Sequence, residues 1–299
     1  MKKTVVSHFY NEEHLLPWWL RQHKQIFDHG IMIDYASNDR SVEIIREICP
    51  TWEIRPSGNT NFSDSTAIDN EVMDIERGLD GWRMCLNTTE FLYGNINHLD
   101  DRTESTQYFI GNYVFVDMED ETKSPLTLSH DIPLHEQRYW GYDDFANKGH
   151  QKGGAMSRMS RSLHNYPVTY TGGRHWGGND YTKSFDDLVI FYYGWADSST
   201  AGLKRKTQIK SKINEGGTVH HRDEDTFRGA YTELRNLSKD LRESIKHICS
   251  YQYSNEINTV IVDEPIQNAI ELAITYEGTV VEIPATDSKL IQAEPRTVG

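Results

Sequence analysis

The chain of 299 residues carries 31 lysines and arginines against 45 aspartates and glutamates, which gives a formal net charge of −14. This acidity argues against a protein that coats nucleic acid, because phosphate contacts need clustered cations. With 37% hydrophobic and 25% charged residues, the composition is typical of a globular protein with a real core.

The cysteines and the N-terminus point to a compartment. Three cysteines, Cys49, Cys85 and Cys249, lie far apart and predict neither a disulfide framework nor a metal site. The N-terminus turns polar too soon for a signal peptide, and no run approaches the roughly 18 apolar residues of a membrane span. We therefore expect a soluble, cytoplasmic protein without a membrane span.

Strands and helices alternate along the first ninety residues. Apolar residues spaced three and four apart predict the helices, and short β-rich runs predict the strands. This order predicts a mostly parallel sheet covered by helices on both faces, with ligands beyond the carboxyl ends of the strands. The predicted elements are strand 3–9, helix 12–28, strand 31–33, helix 39–49, strand 51–55, helix 68–79 and strand 82–86.

The remainder of the chain is less regular. Residues 108–117 predict a strand or hairpin, and residues 119–185 lack periodicity, which is typical of functional loops. Residues 226–250 predict a helix. From about residue 256 we predict a strand, a helix from Pro265 to Tyr276 and a strand from 279 to 283. These predictions divide the chain into a first domain, residues 1–250, and a small C-terminal α/β appendage, residues 251–299.

Polar residues follow the first two predicted strands. Asn11 and Glu12 come after the first strand, where polar side chains could bind a base or ribose; Glu12 also suits a first helical turn on electrostatic grounds alone. Asp34 ends the second strand, where packing explains an acidic residue poorly. Asp39 suits a helix cap as well as a ligand contact.

Residues 87–90, Asn-Thr-Thr-Glu, follow the fourth strand. Oxygen ligands at this place could hold a divalent cation against a diphosphate. Only Glu90 is charged, and an ordinary strand-to-loop exit would also explain Asn87 and Thr89.

Taken in order, these motifs resemble those of family 2-type GT-A glycosyltransferases. The resemblance covers about residues 3–95. The family's Asp-x-Asp-Glu-Phe stands here as Asn87-Thr88-Thr89-Glu90-Phe91, so both aspartates are replaced. The residues that fit the family's order are Asn11, Glu12, Leu16, Trp18 or Trp19, His23, Asp34, Ser37, Asp39, Glu90 and Phe91.

The resemblance implies a GT-A-like α/β fold and the transfer of a sugar from a nucleoside-diphosphate sugar to a hydroxyl of a glycan or similar acceptor. It also implies Mn²⁺ or Mg²⁺ as a cofactor, with Glu90 and a late histidine as metal ligands. His175 is the candidate, and His220 and His221 compete with it. By the same analogy, the base that takes the acceptor proton lies among Asp143, Asp144, Asp186 and Asp187.

Arginines and glycines later in the chain suit a phosphate. Arginine binds phosphate through two hydrogen bonds at once, and glycine lets the backbone approach a ligand closely. The candidates are Arg158, Arg161 and Arg174. Residues 204–212 form a local basic cluster, which a solvated helix face explains better than a ligand site.

A second interpretation is a catalytically silent GT-A-like domain that binds a nucleotide or glycan. The replaced aspartates favour it, whereas Glu90, His175 and the arginines favour the enzyme.

Overall fold

The computed structural model describes residues 1–62, 64–94, 96, 99, 105–117, 127–138, 141–143, 161–171, 173–177, 182–184, 188–213 and 223–245, and four strands between 251 and 283. The strands are β1 (Lys3–Phe9), β2 (His29–Asp34), β3 (Glu53–Pro56), β4 (Trp82–Cys85), β5 (Glu90–Gly94), β6 (Gln107–Ile110), β7 (Asn112–Val116), β8 (Gly141–Asp143), β9 (Arg161–His164), β10 (Tyr170–Thr171), β11 (Trp176–Gly177), β12 (Thr182–Ser184), β13 (Leu188–Trp195), β14 (Tyr251–Ser254), β15 (Thr259–Val262), β16 (Leu272–Tyr276) and β17 (Thr279–Ile283). The helices are α1 (Leu16–His23), α2 (Ser41–Ile48), α3 (Ser65–Arg77), α4 (Leu134–Gln137), α5 (Thr200–Gln208) and α6 (Glu224–Ile245), and a 3₁₀ helix (Ile209–Lys212) follows α5.

A seven-stranded sheet in the order β12-β6-β9-β4-β1-β2-β3 forms the centre of the fold. The strands β4, β1, β2 and β3 pair in parallel, as do β12 and β6. Strand β9 runs antiparallel to both of its neighbours, so its first residue, Arg161, lies at the carboxyl end of β4. The prediction of a mostly parallel sheet flanked by helices is confirmed.

The two faces of β1 belong to two hydrophobic cores. Val5 and Phe9 pack with residues of α1 and α2, whereas Val6 packs with residues of α3. Because side chains alternate along a strand, His8 faces the α3 side, like Val6. Asp64 caps α3 by accepting a hydrogen bond from the backbone N–H of Ala67 at 2.9 Å.

A second sheet, in the order β5-β13-β7-β8, starts immediately after the carboxyl end of β4. Its strand β5 begins at Glu90, so the short loop before Glu90 links the two sheets. The segment after β13 returns to the first sheet. There Gln208 donates a hydrogen bond to the carbonyl of Asn11, and the backbone N–H of Phe62 donates to the carbonyl of Lys212 at 2.7 Å. Helix α5 and its 3₁₀ extension therefore cover the carboxyl end of β1.

The later part of the chain differs from two predictions. Residues 108–117 do not form one hairpin, because β6 and β7 belong to different sheets on either side of Gly111. Residues 272–276, predicted as the end of a helix, form β16 and pair with β17. The alternating apolar residues Leu272, Ile274 and Tyr276 suit a strand, and the helical period misread them. Of the helices in the described ranges, none combines the length and apolarity needed to cross a bilayer.

Candidate active site

The turn after β1 is locked to the turn after β2. Asn11 has a positive φ of 52°, a left-handed conformation that asparagine tolerates better than most residues. Its side chain donates to Oδ1 of Asn38 and accepts from the backbone N–H of Asn38, both at 2.8 Å. Its own backbone N–H donates to Oγ of Ser37 at 3.0 Å. The polar atoms of the Asn11 side chain therefore bond to the turn after β2 and fix the backbone at this edge of the sheet.

Asp34 and Asp39, the two aspartates at and after the end of β2, differ in whether a carboxylate oxygen is left without a hydrogen-bond partner. Asp39 accepts from the backbone N–H groups of Ser41 at 2.9 Å and Glu13 at 3.0 Å, one with each oxygen, so it ties α2 to the β1 turn. Asp34 accepts through Oδ1 from the backbone N–H of Ser37 at 2.9 Å. Oδ2 of Asp34 has no hydrogen-bond partner among the described residues, and this half-buried carboxylate can accept a ligand N–H or O–H.

Glu12 forms an ion pair with Arg205 of α5. Oε1 of Glu12 lies 2.8 Å from Nη1 of Arg205, and the two side chains are 12% and 10% exposed. Burial raises the pKa of Glu12, although Arg205 and a hydrogen bond from Thr88 oppose this shift. Arg205 therefore lies under α5 against the first sheet, and not on the solvated helix face predicted for this basic cluster.

Trp19 of α1 fixes the backbone of the loop before β5. Its indole N–H donates to the carbonyls of Asn87 at 3.1 Å and Glu90 at 2.9 Å. The carbonyl of Thr89 accepts from the backbone N–H of Tyr193 at 2.8 Å. The backbone of the predicted phosphate or metal loop is thus fixed against α1 and β13.

Glu90 and Arg161 form a fully buried, bidentate ion pair. Nε and Nη2 of Arg161 each lie 2.7 Å from an oxygen of Glu90, and the side chains are 1% and 0% exposed. Nη1 of Arg161 donates to the carbonyl of Gly173 at 3.1 Å and approaches Nδ1 of His175 at 2.6 Å. Since every nitrogen of Arg161 is engaged, this arginine holds Glu90 and the 173–175 turn together.

Arg174 lies at the same edge but keeps unused hydrogen-bonding capacity. Its Nη1 donates to Asp69 of α3 at 2.8 Å and its Nη2 donates to Oδ1 of Asn87 at 3.1 Å. Its backbone has a positive φ of 66°, and Asp69 also accepts from the N–H of Gly173 at 2.9 Å. Nε of Arg174 is buried without a hydrogen-bond partner among the described residues.

The donor set of this edge suits an anion better than a divalent cation. The predicted metal ligands Glu90 and His175 lie near each other, but both contact Arg161. Glu90 is paired with Arg161 and Asp69 is paired with Arg174, so both carboxylates already have a cationic partner. In the described part of the chain, no group of three His, Cys, Asp or Glu side chains is placed to hold a metal ion. These residues do not fit Mn²⁺ or Mg²⁺.

His8 lies on the α3 side of β1 and was not predicted as a site residue. Its ring centroid is 5.4 Å from that of Phe62 and 6.0 Å from that of Tyr35. Burial, and then the charges of Arg174 and Arg161, lower the pKa of His8 well below the usual value, so the ring is neutral. Its Nδ1 is buried without a partner among the described residues. Strand alternation puts His8 on this face, but only the tertiary fold brings the arginines to it.

Other predicted residues fall beyond the described ranges or lack a described side chain. Asp143 ends β8 in the second sheet, where its backbone pairs with Tyr113. The residues outside the described ranges are Asp144, Arg158, Asp186, Asp187, His220 and His221. The structure brings the remaining predicted residues to one edge of the first sheet. They are Asn11, Glu12, Asp34, Asp39, Asn87, Thr89, Glu90, Arg161, Arg174 and His175.

Comparison with known proteins yields structural similarity only. No protein-family model matches the chain, and no curated protein matches its sequence. Among solved structures, residues 1–349 of TarS from S. aureus are similar at 12% identity and a TM-score of 0.34, covering 80% of this chain and 72% of that one. The same TarS fragment in complex with UDP gives 10% identity and a TM-score of 0.37, covering 82% and 72%.

HddC from Yersinia pseudotuberculosis is similar at 13% identity and a TM-score of 0.34, covering 64% of this chain and 94% of that one. Similarity at this level does not determine function, which has to be inferred from the residues of the site.

Proposed function

We propose that the chain is a glycosyltransferase that moves a sugar from a nucleoside-diphosphate sugar to a hydroxyl acceptor, a glycan or similar molecule. The observation that carries this proposal is that two of the several buried polar atoms without a hydrogen-bond partner among the described residues, Nδ1 of His8 and Nε of Arg174, lie at the carboxyl edge of β1 and β4. A buried polar atom without a partner costs roughly 1–3 kcal/mol, so an uncompensated pair at a ligand-binding edge calls for a ligand.

The residues at this edge divide into ligand contacts and supports. We assign Arg174 to the diphosphate, because its Nε is unused and guanidinium groups suit phosphate oxygens. We assign Asp34 and His8 to the nucleoside, because each has a hydrogen-bonding atom without a partner among the described residues. Arg161 and Glu90 neutralise each other and keep the edge rigid.

The proposed reaction forms a bond between the anomeric carbon of the sugar and the acceptor oxygen while the bond to the β-phosphate breaks. The acceptor proton passes to a carboxylate, for which Asp143, Asp144, Asp186 and Asp187 stay the predicted candidates. The departing diphosphate gains negative charge, and a fixed guanidinium stabilises that charge without reorganising. Arg174 supplies this stabilisation, so no step requires a metal.

A silent nucleotide- or glycan-binding domain is the second candidate. It is favoured by Asn87 and Thr89, which replace acidic residues, and by the neutralisation of Glu90 by Arg161. This candidate binds the same nucleotide but forms no product, so the two differ in turnover and not in affinity.

The proposal is tested by measuring the midpoint of thermal unfolding with a panel of nucleoside diphosphates and their sugars. Each ligand is measured once with Mn²⁺ and once with a chelator. A ligand at 100 times its Kd stabilises the folded state by about 2.7 kcal/mol, which raises the midpoint by several degrees. We expect one nucleotide to give this shift with the chelator present. A shift that needs Mn²⁺ would contradict the role of Arg174, and no shift with any nucleotide would reject nucleotide binding.

The variant Arg174→Lys separates charge from geometry. Lysine keeps the charge beside Asp69 but offers no planar fork, so the nucleotide-dependent shift should shrink while the ligand-free midpoint changes less. Arg77→Lys is the matched control, because Arg77 is 59% exposed at the end of α3. Transfer of sugar to an acceptor, measured on the wild type, then distinguishes the enzyme from the silent domain.

A further inference from the structure

A second concave surface lies on the other side of α5. It is a cleft of about 420 Å³ between α1, α2 and α5, which we call the α1–α2–α5 cleft. Its apolar floor includes Ile44 and Ile48 of α2. Arg205, which forms the buried ion pair with Glu12, also lines this cleft. The cleft shares Asn11 with the edge assigned to the nucleotide, but His8, Asp34 and Arg174 do not line it.

Cations outnumber carboxylates among the residues that line the α1–α2–α5 cleft, in contrast to the whole chain. Its lining includes four cations and two carboxylates, whereas the chain has a net charge of −14. The cleft therefore favours an anion that the rest of the surface repels. The charged lining residues are Arg21, Arg40, Lys204 and Arg205, with Glu13 and Glu47.

Three of the four cations pair with a carboxylate, whereas Arg21 has no carboxylate partner among the described residues. Arg205 pairs with Glu12, and Arg40 pairs with Glu43 at 3.1 Å. Arg21, in contrast, makes one hydrogen bond, of 2.5 Å, to the carbonyl of His130, and no described carboxylate pairs with it. Lys204 is 3.6 Å from Glu13 and 69% exposed, so its ammonium group can turn into the cleft.

His14 also lines the cleft, and Asp197 holds its ring in place. Its Nε2 lies 2.7 Å from Oδ2 of Asp197. Burial opposes ionisation of Asp197, but hydrogen bonds from His14 and Ser199 outweigh it and hold the pKa of Asp197 below its usual value. Because an ionised Asp197 can only accept, Nε2 of His14 donates the hydrogen bond. His130, which donates to the carbonyl of His14 at 3.0 Å, links His14 to Arg21.

We propose that the α1–α2–α5 cleft binds a phosphomonoester of hexose size, with its phosphate between Arg21 and Lys204. A volume of about 420 Å³ is far larger than one phosphate ion and lies within the range of small-molecule sites. The floor formed by Ile44 and Ile48 suits the apolar face of a sugar ring, and the cationic rim suits phosphate oxygens. The shared chemistry is the phosphate, which free inorganic phosphate also carries.

Isothermal titration of the full chain with glucose 6-phosphate, inorganic phosphate and glucose tests this site. We expect glucose 6-phosphate to bind more tightly than the other two. The double variant Arg21→Gln/Lys204→Gln should weaken its binding at least about tenfold, since two charge-assisted contacts are lost. The matched control Lys24→Gln/Lys210→Gln removes two exposed cations outside the cleft and should change the affinity less than about twofold.

Several results would overturn the proposal. They are no binding of glucose 6-phosphate, binding no tighter than that of inorganic phosphate, or equal weakening in the control variant. Displacement of glucose 6-phosphate by the nucleotide that stabilises the protein would place it at the nucleotide edge instead. The inference does not depend on the proposed function, because nucleotide binding by the Arg21→Gln/Lys204→Gln variant is expected to stay unchanged and is measured separately.

Discussion

Removing Arg161 should destabilise the fold more than any exposed arginine does. In the variant Arg161→Met, Glu90 keeps its place at 0% exposure but loses two hydrogen bonds of 2.7 Å. Its carboxylate keeps only the N–H groups of Asn87, at 2.7 and 3.2 Å, as partners. Breaking a buried pair from one side costs roughly 3–5 kcal/mol, because an unpaired charge stays in the interior.

The double variant Arg161→Met/Glu90→Gln should recover much of this loss. Glutamine keeps an acceptor for the N–H of Asn87 and leaves no charge behind, and replacing both partners of a buried pair is often nearly neutral. The double-mutant cycle, completed with Glu90→Gln, should therefore give a coupling energy of about 2 kcal/mol or more.

Urea unfolding of the four proteins at pH 7, followed by tryptophan fluorescence, measures these free energies. Arg77→Met, at a pair whose side chains are 59% and 68% exposed, is the matched control. It should cost less than about 1 kcal/mol. If Arg161→Met costs no more than this control, or if the two single changes add without coupling, the buried pair at the site is refuted.

Three further perturbations test the surroundings of the site. His23, whose Nδ1 donates to a carbonyl at 2.8 Å and whose Nε2 accepts from a backbone N–H at 3.0 Å, is buried with a pKa lowered to about 3. Because His23 binds a proton near pH 6.5 in the unfolded chain but not in the folded one, it alone should lower wild-type stability by on the order of 2 kcal/mol between pH 7 and pH 5. In urea unfolding, His23→Gln should lose this part of the pH dependence, and an unchanged slope would contradict it. Gly30→Ala should lower the free energy of unfolding by about 1–3 kcal/mol, since its new Cβ would lie 2.1 Å from the ring of Trp52; a neutral result would mean that the ring moves away freely. Arg205→Met should cost about 2–4 kcal/mol in the same assay, because it leaves a buried carboxylate, whereas Lys206→Met, in a cage where the ammonium lies 3.5 Å from the centroid of Trp195, should change stability by less than about 1 kcal/mol. If Arg205→Met and Lys206→Met lower the free energy of unfolding equally, the ion pair with Glu12 does not make Arg205 more important for stability than Lys206.

The regular part of the fold could be predicted because it depends on local patterns. Apolar residues at helical spacing predict α3, and the observed helix, Ser65–Arg77, covers most of the predicted range. The parallel pairing of β1, β2 and β4 follows from the alternation of strands and helices. The insertion of β9 between β4 and β6 has no local signal, because it brings together strands that are about 80 residues apart.

The position of the candidate site could be predicted from the sequence, but the ion pairs between its residues could not. Asp34 and Glu90 follow strands whose carboxyl ends meet, so a sequence pattern can place both at one edge. The partner of Glu90 is 71 residues away, and the partner of Glu12 is 193 residues away. Charge alone cannot select Arg161 or Arg205 from 31 lysines and arginines. His8 was missed because a histidine in an apolar strand is more often a core residue than a ligand contact.

Asn87 stands where the resembled family carries an aspartate, and this difference is consistent with the proposed role of Arg174 in place of a metal. Oδ1 of Asn87 accepts from Nη2 of Arg174 at 3.1 Å, so an aspartate here would form a second ion pair with an arginine that Asp69 already contacts. Because Asp69 already balances the charge of Arg174, a second carboxylate would make the group net negative and oppose diphosphate binding. Asn87→Asp should therefore weaken the nucleotide-dependent thermal shift in the presence of a chelator, whereas Asp64→Asn, outside the edge, should leave it unchanged. If Asn87→Asp instead gains a shift that depends on Mn²⁺, the edge accommodates a cation and Arg174 is not the group that replaces it.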